Sequence, residues 1–73
     1  MDSVKFDTMI LNVVNPLVIQ GSATMDNGSL FLENVDSGTM EGIVFDLNKR
    51  FGEYFGFLVT EYPGISGYTV DFR

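Results

Sequence analysis

Asp26-Asn27-Gly28 separates two apolar-rich runs, Leu17–Met25 and Ser29–Val35, and constrains the fold more than any other stretch of the chain. Asp, Asn and Gly tolerate the positive φ of a tight hairpin turn, so the flanking runs are expected to pair as antiparallel strands. Turn residues recur at Asn15-Pro16, Asp36-Ser37-Gly38, Pro63-Gly64 and Ser66-Gly67. Breaks at roughly eight- to twelve-residue intervals are the rhythm of a small β-rich domain.

Between the breaks, each segment has its own period. Val4–Val14 alternates imperfectly, and Phe6, Ile10, Val13 and Val14 also fall on one helical face. Its β-branched content and the Asn15-Pro16 stop favour a strand. In Thr39–Leu47, Ile43, Phe45 and Leu47 alternate, which suggests a strand with one buried face. Leu47, Phe51, Tyr54 and Phe55 then take helical spacing, with Asp46 or Asn48 to cap the start and Gly56 to close the end. Phe57–Tyr62 and Tyr68–Phe72 read as a final hairpin, Tyr68, Val70 and Phe72 alternating with Thr69, Asp71 and Arg73. The expected fold is α+β and mainly β: a small antiparallel sheet or partly closed barrel of about five to six strands, with one short helix near residues 47–55. Residues 1–73 are expected to form one domain.

A chain this short buries only about 60% of the surface its unfolded form exposes. It has no cysteine and no histidine, so disulfides and the commonest transition-metal ligands are excluded. Apolar packing must supply the stability. Seven Phe, three Tyr and four Met are available for it, and each buried ring removes about 150–250 Å² from water. Phe51, Tyr54, Phe55, Phe57 and Tyr62 are the candidate rings for the core or for a subunit interface.

Little catalytic chemistry is open to such a chain. Without His or Cys the usual nucleophile–base pairs cannot be assembled, and no two carboxylates are spaced to suggest a hydrolytic dyad. No enzyme activity and no cofactor are expected. Met25–Glu33 carries Asp26, Asn27 and Glu33 but lacks the ligand order of a calcium loop, and a hairpin turn accounts for it. No metal is expected. Phe55-Gly56-Phe57-Leu58 matches the centre of the aromatic ribonucleoprotein motif, yet Glu53, Tyr54 and Thr60 break the pattern on either side. Single-strand binders also need a positive groove. Core or interface is the better reading of these rings.

Charge supplies that negative. The chain carries a net −6, and no basic side chain occurs from Phe6 to Asn48. Such a surface repels phosphates and favours a basic partner, although net charge also serves solubility alone. Charged residues are 19% of the chain, too few for a full nucleic-acid mimic. The leading expectation is a small acidic protein-binding inhibitor or modulator that docks on a basic surface of a partner protein, one that otherwise holds nucleic acid. Asp26, Glu33, Asp36 and Glu41 beside the two central turns would carry the docking. In size and charge it resembles phage-encoded blockers of host nucleases, including anti-restriction and anti-CRISPR proteins; this analogy implies no family. The alternative is a self-assembling protein, a homo-oligomer joined through its surplus rings. The first residues lack a basic stretch followed by a long apolar run, and no segment reaches the roughly 18 apolar residues of a membrane span. A cytoplasmic location, with no membrane contact and no direct nucleic-acid binding, is expected.

Overall fold

A computed structural model describes residues 3–72. The elements are α1 (Ser3–Val13), α2 (Asn15–Ile19), β1 (Ala23–Asp26), β2 (Ser29–Leu32), α3 (Ser37–Phe51), β3 (Phe57–Tyr62), a 3-10 turn (Pro63–Ile65) and β4 (Gly67–Phe72). Four strands form one antiparallel sheet in the order β1-β2-β4-β3. The expected α+β class and antiparallel sheet hold, but five to six strands was too many, the sheet does not close into a barrel, and the described residues are not mainly β: three helices stand where one short helix was expected. Asp2 and Arg73, which entered the charge and alternation patterns, lie outside the described residues.

Two hairpins stand as expected. Asn27 and Gly28 take φ of 51° and 82°, the left-handed pair a two-residue turn needs, and Asp26 pairs with Ser29 across them. Phe57 pairs with Phe72 and Tyr62 with Gly67 in the second.

Three segments are corrected. Residues 3–13 are helical: Ile10 and Val14 are buried and Phe6 packs against the core, so the helical period outweighs the β-branched content. Leu17–Met25 is a strand only from Ala23. Pro16 lies in the first turn of α2, where its missing N–H leaves no hydrogen bond unmade. Gly21, at φ 80°, ends that helix: the Ser22 N–H donates to Leu17 O and the Gly21 N–H to Val18 O. Thr39–Leu47 lies within α3, and the helix expected over 47–55 is the end of that longer helix. Asp36 caps α3, its Oδ1 accepting the Thr39 N–H at 2.7 Å, and neither Asp46 nor Asn48 does. Gly52, and not Gly56, stands at its end. Met40, Ile43 and Leu47 face inward with Val44 and Phe51 beside them, while Phe45 is 66% exposed. Phe45 was the residue that made this segment look like a strand.

The core lies on one face of the sheet. Ala23, Leu30, Leu32 and Val70 are buried there against Ile10, Val14, Met40, Ile43 and Leu47 of the helical segments. At one end of this face, Phe6, Phe51, Phe55, Phe57 and Phe72 form a ring cluster. Phe72 is its hub, with centroids 5.4 Å from Phe6, 5.7 Å from Phe55 and 5.9 Å from Phe57. The opposite face carries Phe31, Leu58 and Tyr62, all substantially exposed, among Thr24, Thr60 and the Ser29–Asp71 side-chain hydrogen bond.

Candidate functional site: an acid-rimmed groove between α3 and β3

The β3–β4 hairpin places Glu61 directly opposite Tyr68, so both side chains project from the face that carries the helices. The first turns of α3 come over the same spot. Val35 brings them there: it is buried, and its N–H donates to Ser66 O at 3.0 Å, tying the β2–α3 connection to the β3–β4 connection. Both ends of that tie bend sharply, with Asn34 at φ 57° and Ser66 at φ 50°. Asp36 follows at once and starts the helix.

Between α3 and β3 lies a groove of about 300 Å³ lined by Ser37, Met40, Glu41, Val44, Glu61 and Tyr68. Met40, Val44 and the Tyr68 ring make an apolar floor; Glu41 and Glu61 stand exposed at the rim. Partial burial raises the Tyr68 hydroxyl above the ordinary tyrosine range, and the charges of Glu61, Asp36 and Glu41 push it further the same way. Carboxylates at the start of α3 and on β3 therefore act on the same hydroxyl. Asp36 is itself held below the usual carboxylate range, chiefly by the Thr39 backbone N–H and then by the Thr39 hydroxyl, so it stays charged. The cations of α3 lie at its other end, Lys49 and Arg50 in the last turn. The helix thus carries acid toward the groove and base away from it.

The four acids read from the sequence separate into three places. Glu41 lines the groove, and Asp36 caps the same helix next to the lining residue Ser37. Glu33 is exposed beside a smaller depression of about 190 Å³, which it lines with Phe31, Tyr62 and Ile65. Asp26 is exposed at the β1–β2 turn, the far end of the sheet, in register with Ser29 and Asp71. Glu61 and Tyr68 were not singled out beforehand. The signal was present, because a turn across Pro63–Ser66 pairs residue 62 with 67 and hence 61 with 68.

The five aromatic candidates also divide. Phe51, Phe55 and Phe57 pack against the core. Tyr54, 78% exposed, lines a cleft of about 420 Å³ with Met9, Arg50, Phe51 and Phe55. Tyr62 stands at the other end of the sheet, 47% exposed. The rings therefore do not present one continuous surface.

Among the described residues, no cluster of three or more His, Cys, Asp or Glu is placed to hold a metal ion, and no helix is long and apolar enough to cross a membrane. Compared with known protein families, curated proteins and solved structures, the chain matches none.

Proposed function

We propose that this chain is a protein-binding module, an inhibitor or modulator, that holds a basic segment of its partner in the groove between α3 and β3. The placement of Glu41 and Glu61 at the rim of a groove floored by Met40, Val44 and Tyr68 carries the reading. An Arg or Lys side chain suits this groove in two respects. Its apolar stem would cover Met40 and Val44, and its charged head would reach the carboxylates at the rim. Clustered rim charges also steer a basic partner into place and reject acidic ones. The reading needs no catalytic step and no cofactor, and it suits a partner whose basic surface otherwise holds nucleic acid. Self-assembly through the rings has less support, since Phe51, Phe55 and Phe57 are engaged with one another and with Phe6 and Phe72.

The test is a pull-down from host lysate on two columns, one carrying the wild-type protein and one carrying Glu41→Gln/Glu61→Gln, each eluted with rising salt. A nucleic-acid-binding protein held by the wild type, released as the screening length falls from about 10 Å toward 3 Å, and lost from the variant is the expected result. Equal retention on both columns, or recovery of a salt-resistant multimer of this chain alone, refutes the proposal.

A further inference from the structure

One wall of the groove, Glu61, belongs to the edge strand of the sheet. No described strand pairs with the outer side of β3. Which of its groups are free follows from the ladder. The Phe72 N–H donates to Gly28 O at 3.2 Å, so Phe72 turns its backbone groups toward β2. Backbone direction alternates along an antiparallel strand. Thr69 and Asp71 therefore face β3, and their partners Thr60 and Leu58 face back. Phe57, Val59 and Glu61 are left with N–H and C=O directed outward. Val59 and Glu61 also share the helix-bearing face with their register partners Val70 and Tyr68. Glu61 thus has free backbone groups at the edge and a side chain that lines the groove.

Edge strands are commonly protected by Lys, by Pro or by a bulge. From Phe57 to Tyr62, β3 has no Lys and no Pro, and each of its residues pairs with one of β4. Its single charge is Glu61, and exposed Leu58 and Val59 precede Thr60. That arrangement discriminates by charge: a second copy of this −6 chain meets repulsion at the edge, whereas a basic strand meets attraction.

We infer that the partner's segment binds as a fifth strand along β3, with a basic side chain opposite Glu61 and an aliphatic one opposite Val59. This deepens the proposed function and rests on it. Run antiparallel to β3, the segment would read basic-x-aliphatic-x-aliphatic, the final position facing Phe57. Directly opposite Cβ atoms lie about 4.5–5.5 Å apart, so the basic side chain would lie beside Glu61 with its head extended toward Glu41. Main-chain hydrogen bonds to Val59 and Glu61 would supply affinity independent of sequence, and the groove would supply the preference for a base.

The experiment uses a capped heptapeptide, Thr-Arg-Thr-Val-Thr-Val-Thr, titrated into the isotope-labelled full chain. NMR reads affinity and amide exchange. The expected result is slowed exchange at the Val59 and Glu61 amides, with affinity lost when the peptide's Arg is replaced by Glu. N-methylating the first Val of the peptide, the residue opposite Val59, should weaken binding at least about tenfold, because it removes a donor and places a methyl group against the edge. N-methylating the Thr that follows, whose N–H points away, should change it less than about twofold. Val59→Pro should abolish binding while leaving the rest of the amide spectrum folded, since the N–H it removes is unused in the sheet. Arg-dependent binding that leaves β3 exchange unchanged and ignores both N-methyl positions would overturn strand addition but keep the basic-segment reading. Failure of the peptide and of its Lys analogue to bind, with pairing of β3 between copies of this chain, would overturn both.

Discussion

Replacing Phe72 by leucine tests whether the rings hold the fold together or are spare surface. Leucine keeps most of the apolar bulk at this half-buried position and removes the aromatic geometry. Phe72 meets three rings within 6 Å of its own centroid: Phe6, Phe55 and Phe57. Edge-to-face or offset pairs contribute about 0.5–1.5 kcal/mol each beyond area burial. The three share one ring and do not add fully, so a loss of about 1.5–3 kcal/mol is expected. Domains of this size have about 4–11 kcal/mol in total, so the variant should still fold, with its reserve markedly reduced. Urea unfolding followed by far-UV circular dichroism reads the loss directly. With m near about 1 kcal/mol/M, the midpoint should fall by about 1.5–3 M. Tyr54→Leu is the control: Tyr54 is 78% exposed, and the change should stay within about 0.5 kcal/mol. If Phe72→Leu costs less than about 0.5 kcal/mol, or Tyr54→Leu costs as much as Phe72→Leu, the rings are not the structural centre argued for here.

Two glycines should respond in opposite directions. Gly42 lies in α3 with open space around the position of a Cβ, so Gly42→Ala should raise stability by about 0.8–1 kcal/mol in the same urea assay. Gly28 also has open space but sits at φ 82°, and Gly28→Ala should lower stability by about 1–2 kcal/mol through backbone strain alone. Asp36 supplies a pH dependence. Its carboxyl is held below its ordinary value in the folded state, so the stabilisation is complete above that ordinary value and is lost as pH falls through the lower folded value. Asn caps helices about as well as Asp but carries no charge. Thermal midpoints of wild type and Asp36→Asn should accordingly separate at neutral pH and converge in acid, and a gap that persists unchanged in acid would contradict this assignment.

The hairpins were legible because their signals are local: the conformational demand at Asn27-Gly28 and the alternation on either side of Pro63–Ser66 need nothing beyond neighbouring residues. The helices were misread because two periods overlap in short apolar segments. Ile43, Phe45 and Leu47 alternate, but Met40, Ile43, Val44 and Leu47 also follow the helical spacing. Only the core decides between them, by burying the second set and leaving Phe45 outside. Asp36-Ser37-Gly38 carried the same ambiguity, because Asp opens turns and caps helices with one hydrogen bond to a nearby N–H. Within the candidate site, Asp36 and Glu41 stand out for their place near a turn, and α3 carries Glu41 to the groove because Asp36 starts the helix there. Glu61 lay in a segment read for its rings, and its position became informative once the hairpin register was followed residue by residue.

The opposed ends of α3 bear on how such a small chain could bind a basic segment without collapsing onto itself. Lys49 and Arg50 are the cations of α3, and at its last turn they complement the helix dipole. The groove lies at the first turns of the helix, whose positive dipole end favours the charge of the capping Asp36. The helix therefore separates these two bases from its acid rim by much of its length, about 1.5 Å per residue. Glu41 and Glu61 remain exposed as a result, and the rim carboxylates remain available to an outside cation. Moving a base toward the groove should close it: Phe45→Lys, one turn beyond Glu41 on the exposed side of α3, adds a Glu–Lys pair at i,i+4. It should stabilise the helix by about 0.2–0.5 kcal/mol and weaken binding of the Arg peptide. Tighter binding by Phe45→Lys would show that Glu41 is not among the groups that hold the partner's charge.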